Sequence, residues 1–243
     1  MMERLDKFLA SAGYGTRSQV KTFLKQGRIR VNGQVMKDGS LKIDPNTDEI
    51  LFDQGRVTAS SDRYYMLHKP AGYITASRDR SAPVVLDLLP EDLRKDLIPV
   101  GRLDIDTEGL LLLTTDGALC HRLLSPRHHA VKVYEAVVSG MLSEDAAARF
   151  REGLDIGDEK KTLPAELSVT GCSSGADGEE RTLVRIELRE GRYHQVKRMI
   201  HAVGGHVEYL KRISMGGVVL DPRLEKGKYR ELSTEEIETL KQI

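Results

Sequence analysis

Residues 101–109 read GRLDIDTEG, a glycine-bounded segment that places Asp104, Asp106 and Glu108 close to Arg102. The four leucines that follow predict a strand buried on both faces, which would anchor this acidic turn against the core. At least one carboxylate is then expected to face a partly desolvated cleft, where it needs a cationic partner to stay ionised. This segment is therefore the first candidate for chemistry.

The residues of the acidic segment suggest three other interpretations, of which the first stays open, the second fails at the end of the motif and the third is weaker. One is a solvated turn whose aspartates cap backbone N–H groups. Another is a calcium loop, which begins in a similar way but needs a bidentate Glu at its twelfth position, where this chain has Thr115. The third is a glycosidase, which uses paired carboxylates, whereas Asp104 and Asp106 stand two residues apart on an extended turn and are predicted to point apart.

A second segment, residues 190–204, predicts a helix with two different faces. The face turned to the core consists of Val196, Met199, Ile200 and Val203. A cationic stripe follows the same spacing on the other side, with no acid of the helix to offset it, and consists of His194, Lys197, Arg198 and His201. A solvated face is the common interpretation, and a phosphate track or a counter-ion for a buried acid is the functional one. The two histidines lack a third ligand, so no metal site is predicted.

Shorter segments add to this pattern. Residues 125–129 (SPRHH) form a basic loop containing Arg127, ahead of a predicted strand that begins KVYE. Aromatic residues make up 5% of the chain and Trp is absent. Tyr134, among charges, is thus either a half-buried strand residue or a platform on which a base stacks. The turn HKPAGY carries Lys69, for which a structural role is the common interpretation.

Composition restricts the class of protein. A chain of 243 residues predicts one large or two unequal domains. Its apolar runs are too short for a membrane-spanning helix, and the start MMERLDKF lacks the apolar region of a signal peptide, so a soluble, cytoplasmic protein is expected. Cys120 and Cys172 stand alone, which predicts neither a zinc site nor a disulfide framework.

The charges are balanced overall but segregated along the chain. Lys plus Arg and Asp plus Glu both number 37, which gives a formal net charge of zero. Residues 1–42 hold nine basic residues against three acidic ones, and residues 189–212 hold six against two. Two basic zones on an acidic body are what binding to an anionic partner requires.

The N-terminal pattern predicts an ααββ module. Two short helices are expected, the second opened by a capping box of Thr16 and Gln19, and Asn32-Gly33 is the strongest short hairpin signal. Residues 57–63 (VTASSDR) are polar and unpatterned and predict a linker. The domains expected are therefore 1–58 and 59–243.

The second domain predicts more strands than helices. Strands are expected at 64–68, 98–103, 110–115, 132–138, 165–170, 183–189 and 206–213. Helices are expected at 84–89, 117–124, 144–152, 192–203 and 234–242. Hairpin-length gaps favour an α+β fold with a mixed, largely antiparallel sheet. Neither GxGxxG nor a P-loop occurs, so nucleotide cofactors lack their usual signature.

Five segments of the chain, taken in order, resemble one family. They are HKPAGY, GRLDIDTEGLLLLT, SPRHH, KVYEA and EGRYHQVKRM, and together they resemble the pseudouridine synthases that modify ribosomal RNA, most closely the small-subunit (16S) branch. The first fifty residues resemble the alpha-L (S4-like) RNA-binding module that precedes the catalytic domain in that branch. The resemblance runs from Leu5 to about Leu240.

The resemblance implies roles for individual residues. Asp104 corresponds to the catalytic carboxylate, Tyr134 to the active-site tyrosine, and Lys197 to the basic residue that pairs with the aspartate. Many relatives have Arg at that last position, and Lys keeps its charge but lacks the bidentate fork. RNA contacts are expected from both basic zones and the loops between them: Arg17, Lys21, Lys25, Arg28, Arg30, Arg102, Arg127, Arg192, His194 and Arg198.

The implied reaction converts uridine to pseudouridine without net redox change or transfer of a group, so neither cofactor nor metal is expected. The expected partner is ribosomal RNA, within a small-subunit assembly intermediate, and the chain is expected to act as a monomer away from membranes. A non-catalytic RNA-binding assembly factor is the rival, as is a synthase acting on large-subunit RNA. Asp104 distinguishes a synthase from a non-catalytic assembly factor. A carboxylate in an RNA cleft repels phosphate, so a protein that only binds RNA would gain affinity by losing it.

Overall fold

The computed structural model describes residues 2–45, 47–57, 62–76, 79, 82–125, 128, 130–175 and 178–243. The chain divides into two compact units, Met1–Asp62 and Arg63–Ile243. Residues 58–61 of the predicted linker lie outside the described residues. The linker's first residue, Val57, is buried in the core of the first unit, and its last, Arg63, donates its backbone N–H to Thr115 in the second. Folded structure therefore includes both ends of the predicted linker.

The first unit contains the two predicted helices, α1 (Leu5–Ser11) and α2 (Arg17–Lys25). The predicted capping box opens α2, since Gln19 donates its backbone N–H to Thr16 Oγ1 at 3.3 Å and Thr16 donates its own to Gln19 Oε1 at 2.8 Å. This exchange satisfies backbone donors that have no partner within the first helical turn.

Six short strands complete the described part of this unit: β1 (Glu3–Arg4), β2 (Ile29–Val31), β3 (Gln34–Val35), β4 (Lys42–Ile43), β5 (Ile50–Phe52) and β6 (Gly55–Arg56). β2 and β3 form the predicted hairpin, with positive φ at Asn32 and Gly33. The hairpin of β5 and β6 lies beyond the predicted ααββ pattern and extends the sheet to the order β3-β2-β5-β6. Its turn begins at Asp53 without an Asn-Gly or Asp-Gly pair, so the usual signal is absent.

The second unit is built on one sheet. Its described strands are β7 (Tyr64–Lys69), β8 (Ile98–Pro99), β9 (Glu108–Thr114), β10 (Lys132–Gly140), β11 (Glu166–Ser174), β12 (Glu180–Leu188), β13 (Gly205–Met215), β14 (Val218–Val219) and β15 (Tyr229–Glu231). The main order is β11-β12-β10-β13-β9-β7-β15, with β8 beside β9 and β14 beside β13. Among these described pairs, β13 with β9 is parallel and the others are antiparallel, as the predicted α+β class requires.

The leucine run is buried on both faces of this sheet, as predicted. Leu111 and Leu113 pack into the core cluster that includes Tyr134, and Leu110 and Leu112 pack into the cluster on the opposite face. Because both faces of β9 are packed, the loop that leads into this strand ends on a rigid element.

One predicted strand is mostly loop. The pattern at 98–103 predicts a strand, but β8 ends at Pro99. The chain turns at Gly101, which has a φ of 80°, and residues 101–107 form a loop outside the ladder. The spacing of apolar residues cannot distinguish a strand from a loop here, because Val100 and Leu103 are buried although both lie outside β8.

Helices flank the sheet and are α3 (Glu91–Arg94), α4 (Gly117–Leu124), α5 (Ala146–Glu152), α6 (Gln195–Ala202) and α7 (Thr234–Lys241), with a 3₁₀ turn at Val85–Leu88. α6 starts three residues later than the predicted 192, because His194 has a positive φ of 48° and interrupts the helix. Its predicted core face is confirmed, since Val196, Met199 and Ile200 are all buried. None of the helices in the described part of the chain combines the length and apolarity needed to cross a bilayer.

Candidate active site

A cavity of about 650 Å³ lies in the second unit, between the loop 101–107, the strands β10 and β13 and the turn before α6. Its lining includes Arg102, Asp104, Lys132, Tyr134, His194 and Arg212. The aspartate and the tyrosine predicted to be catalytic therefore share one cavity, although thirty residues separate them in the chain.

The loop that carries Asp104 is held by a buried lysine. Lys69, at the end of β7, donates from Nζ to the carbonyl oxygens of Asp104 at 3.0 Å, Ile105 at 3.3 Å and Thr107 at 2.8 Å. Burial lowers the pKa of Lys69 to about 8, although Asp106, Asp104 and Glu108 oppose that shift. Lys69 therefore has a structural role, because its ammonium group fixes the backbone of the acidic loop.

A threonine fixes the same loop on its other side. Thr75 donates its hydroxyl to the carbonyl oxygen of Leu103 at 2.8 Å and accepts the backbone N–H of Leu103 at 3.2 Å. Both residues are buried. The backbone on either side of Asp104 is therefore held by side chains from another part of the chain.

The acidic loop meets the cationic face of α6. Lys197 Nζ lies 3.5 Å from Asp104 Oδ2, and His194 Nε2 lies 3.7 Å from Asp104 Oδ1. Lys197 is closer to Asp106, to which it donates at 2.6 Å and 2.7 Å. The expectation that Asp104 and Asp106 point apart is therefore wrong, because residues 104–107 form a turn rather than an extended strand and both carboxylates reach one ammonium.

The shorter contact has an electrostatic consequence for Asp106. Partial burial raises the pKa of this carboxyl, but the hydrogen bond and the charge of Lys197 lower it by more, and the net shift is downward. Lys197 is thus shared between two carboxylates rather than dedicated to Asp104. Of the two, Asp106 has the more exposed side chain, at 65% against 28% for Asp104.

Tyr134 lies on β10 with its ring buried in the main core cluster and on the cavity wall. Its partners across the sheet are Ile186 on β12 and Arg212 on β13. Tyr134 is thus a buried strand residue that also lines the cavity, and its use as a platform for a base stays a prediction.

Two buried cations in this wall were not predicted, Lys132 on β10 and Arg212 on β13. A signal for Lys132 was present in the period-two pattern of β10, where it is in phase with the buried Tyr134 and Ala136. No such signal marked Arg212, whose phase of β13 also holds His206, Glu208 and Ser214. A charge in the apolar phase of a strand marks a site where burial needs an explanation.

The comparisons with known proteins identify the family. Residues 63–202 match the family model described as RNA pseudouridylate synthase, and residues 3–48 match that of the S4 domain. The chain belongs to the RNA pseudouridylate synthase family. These matches confirm the resemblance seen in the sequence and the order of its two domains.

Relatives of this pseudouridine synthase match it over nearly the full length. A Bacillus subtilis (strain 168) protein named "Uncharacterized RNA pseudouridine synthase YtzG" is 44% identical, covering 98% of each chain. Proteins named "Ribosomal small subunit pseudouridine synthase A" are 42% identical in Yersinia pestis, covering 96% of each chain, and 40% identical in Escherichia coli (strain K12), covering 96% of this chain and 98% of the relative. A crystal structure of a pseudouridylate synthase matches with a TM-score of 0.67 and 39% identity, covering 98% of this chain and 99% of that one.

Two arginines predicted to contact RNA in this pseudouridine synthase are bonded to acids and carbonyls at the cavity rim. Arg192 donates to Glu190, to Asp158 and to the carbonyl oxygens of residues 160 and 161. Arg198 donates to Asp158 at 2.6 Å and to the carbonyl oxygen of Ile156. Helix α6 carries no acid to balance the positive charge of the cationic stripe, but acids from other elements largely balance it.

The remaining predicted contacts of the second unit differ in placement. Arg102 is exposed and lines the cavity. His194 also lines it and stacks on the exposed ring of Tyr193, with centroids 3.8 Å apart. Arg127 lies outside the described residues.

The predicted contacts of the S4-like unit fall into two groups. Arg28 donates twice to Asp53 and lies over the rings of Phe23 and Phe52 at 4.9 Å and 4.5 Å, so it packs within the unit. Arg30 donates to a carbonyl of the hairpin turn, and Arg17 lies 3.9 Å from Asp6. Lys21 and Lys25 stand exposed on α2.

Proposed function

We propose that this pseudouridine synthase isomerises a specific uridine of ribosomal RNA, in the RNA of the small subunit, with Asp104 as its catalytic carboxylate. The names of the relatives at 42% and 40% identity support the substrate. The observation that carries the role of Asp104 is its position on the cavity wall shared with Tyr134, between the side chains of Lys197 and His194.

The chemistry needs an ionised carboxylate at that position. Isomerisation breaks the N1–C1′ bond, turns the uracil over and joins it again through C5. Asp104 either attacks C1′ or removes the C2′ proton to give a glycal, and both routes begin from the carboxylate. Lys197 places a positive charge beside that carboxylate, with its Nζ 3.5 Å from Asp104 Oδ2.

Tyr134 supplies the surface for the base. A uridine in folded RNA must leave its stack to enter the cavity, which costs a few kcal/mol. Stacking on an aromatic ring recovers part of that cost, at about 1–3 kcal/mol per base. The Tyr134 hydroxyl is the group we assign to removal of the C5 proton after the uracil has rejoined the ribose.

The proposal includes no cofactor, because the reaction changes neither the redox state nor the atoms of the substrate. It places the chain in the cytoplasm, acting as a monomer on a small-subunit assembly intermediate. Folded RNA within such a particle can present a uridine that mature ribosomes bury.

The decisive experiment incubates the protein with small-subunit RNA, both free and in assembly particles, and maps pseudouridine. Asp104→Asn is expected to lower the single-turnover rate by at least about 10³-fold, since it removes the reacting group itself. Its RNA affinity should be equal or slightly higher, because one negative charge leaves an anion-binding cleft. Asp106→Asn is the matched control and should stay within about tenfold of wild type, because Lys197 can then pair with Asp104 alone.

The outcomes separate the alternatives. Binding without pseudouridine formation in any ribosomal RNA would show a non-catalytic assembly factor. Modification of large-subunit RNA alone would correct the substrate. Normal turnover by the Asp104 variant would remove this carboxylate from the mechanism.

A further inference from the structure

The inner wall of the active-site cavity carries two cations that the mechanism above leaves unused. Arg212 is 1% exposed and Lys132 is 8% exposed, and both line the cavity. Arg212 Nε donates to the carbonyl oxygen of Leu110 at 2.8 Å, and Lys132 Nζ donates to that of Ala130 at 3.0 Å. Each cation thus has a backbone anchor that fixes its position.

In the part of the chain that the structure describes, neither cation has a hydrogen bond or ion pair with an acidic side chain. Among the described residues, Arg212 Nη2 is buried without a hydrogen-bond acceptor. Burial and the charge of Arg212 together lower the pKa of Lys132 to about 8, against the opposing effect of Glu190. Glu190 itself accepts hydrogen bonds from Arg192, Gln195 and the backbone of Leu163. Burying a charge under these conditions is costly, which indicates a ligand that completes the site.

The two cations stand next to the surface assigned to the base. Arg212 is the cross-strand partner of Tyr134, and Lys132 lies two residues before Tyr134 on the same strand. Residues in these positions project from one face of a sheet. A ring stacked on Tyr134 therefore has Arg212 and Lys132 within the same pocket, on the wall formed by β10 and β13.

We propose that Arg212 and Lys132 donate hydrogen bonds to the carbonyl oxygens of the flipped uracil and stabilise the negative charge that this base gains when the N1–C1′ bond breaks. This inference rests on the proposed function and assigns two further catalytic residues to it. It also makes the site selective for a base with carbonyl groups at O2 and O4.

The charge balance of the reaction supports this assignment. The N1–C1′ bonding pair leaves with N1, and the uracil becomes an anion delocalised over N1, O2 and O4. The charge of Asp104 disappears in the same step, because its oxygen forms a bond to C1′ or takes the C2′ proton. One negative charge thus moves from the loop beside Lys197 to the wall that holds Arg212 and Lys132, and fixed cations there stabilise the transition state without reorganisation.

A base fits this wall better than a phosphate does. Arg212 and Lys132 are almost fully buried, whereas the phosphates of an RNA strand stay at the surface when one nucleotide is extruded. Phosphate binding is the competing outcome, and it would appear as a loss of affinity that depends on salt.

The test compares Arg212→Met with wild type in single-turnover assays on RNA with uridine or 5-fluorouridine at the modified position. With uridine, the rate is expected to fall by about 100-fold, the usual effect of removing one donor to a developing charge. Fluorine withdraws electrons and stabilises the uracil anion, so with 5-fluorouridine the loss should be below about tenfold. Chromatography of the digested nucleosides measures both rates as the loss of uridine or of 5-fluorouridine, because a base with fluorine at C5 has no proton there to lose and cannot complete the step to pseudouridine. A merely structural defect would slow both substrates equally.

Two further variants keep the test decisive. Lys211→Met removes the neighbouring cation of the same strand and should leave both rates within about threefold of wild type. If Arg212→Met does not fold, Lys132→Met carries the same comparison of the two substrates.

The inference is overturned by an unchanged rate in a folded variant, by equal losses on both substrates, or by weaker RNA binding with a salt slope about one unit smaller. A wild-type protein that forms no pseudouridine would overturn the proposed function, and this inference with it.

Discussion

The cations around the active-site cavity form two groups with opposite partners. The inner cations, Lys69, Lys132 and Arg212, are buried and donate to backbone carbonyl oxygens. The rim cations, Arg192, Lys197 and Arg198, keep about a quarter of their side-chain surface exposed and pair with Glu190, Asp106 and Asp158.

This difference separates two uses of positive charge in one site. Rim pairs are partly solvated, so each contributes little to stability, and their main effect is to tie the turn 156–161 and the acidic loop to α6. The inner cations are more deeply buried, and burial lowers the pKa of both Lys69 and Lys132 to about 8, which marks the cost of placing their charges there. Lys69 holds the loop of Asp104, and in the mechanism proposed above Lys132 and Arg212 bind the substrate base.

The largest expected effect contrasts one member of each group. Lys69→Met removes the ammonium that binds three carbonyl oxygens of the acidic loop, so Asp104 loses its fixed position. Single-turnover rate should fall by about 100-fold or more, as positioning errors of about 1 Å cause. Arg198→Met breaks only rim contacts and should change the rate by less than about fivefold. If Lys69→Met and Arg198→Met lowered the single-turnover rate equally, the inner and rim cations would not differ in their role.

A smaller effect is expected where the acidic loop joins the strand of Arg212. A Cβ at Gly109 would lie 2.2 Å from the carbonyl oxygen of Arg212, and its φ is 105°. Gly109→Ala must therefore separate β9 from β13 and displace Arg212. Gly178→Ala is the control, since its φ is also positive but no described atom lies within 4 Å of its Cβ.

The two glycine variants should differ in both stability and rate. Positive φ costs each variant about 1–3 kcal/mol in the free energy of unfolding, measured by urea denaturation. Gly109→Ala should lose about 1–3 kcal/mol more from overpacking, and its turnover should fall by about tenfold while that of Gly178→Ala stays normal. Equal stability losses would mean that β9 and β13 can separate freely.

The pH dependence provides a further test of the inner group. The pKa of Lys69 is about 8, below its ordinary value of 10.5, so between these two pH values the unfolded chain binds more protons than the folded one. The free energy of unfolding should therefore rise with pH in this window, as the cost of burying the charge is relieved. Turnover should fall over the same window, because neutral Lys69 binds the loop carbonyls less strongly. Single-turnover rates at saturating enzyme from about pH 6 to pH 9.5 measure this, and a flat profile would contradict it.

Local patterns predicted several elements of both units. The capping box of Thr16 and Gln19, the hairpin at Asn32 and the two-sided burial of β9 are all present. Each depends on residues near one another in the chain, for which spacing and backbone preference are sufficient information. The hairpin of β5 and β6 was missed because its turn lacks the residues that mark one.

The charge pairing within the site could not be predicted in the same way. Lys197 and Asp106 are 91 residues apart, and Arg198 and Asp158 are 40 apart. No spacing rule relates residues at such distances. The stripe on α6 was predicted to be a solvated face, a phosphate track or a counter-ion for a buried acid, and only the fold shows which acids meet it. Buried Arg212 was not detectable from its strand, since its phase of β13 also holds His206, Glu208 and Ser214, and only a fold shows that Arg212 faces a cavity.

The smallest expected effect concerns the S4-like unit, whose basic residues repeat the contrast between paired and unpaired charge. Lys21 and Lys25 are exposed on α2, whereas Arg28 is bonded to Asp53 and packed on two aromatic rings. If the exposed lysines neutralise phosphates, the combined change Lys21→Gln and Lys25→Gln should reduce the slope of log K against log salt by about 1.4–1.8, at 0.7–0.9 for each contact. Arg28→Gln should instead lower the stability of this unit and leave the slope nearly unchanged. Titration of folded small-subunit RNA across a salt series measures the slopes, and an unchanged slope in the double variant would show that these lysines form only a solvated face.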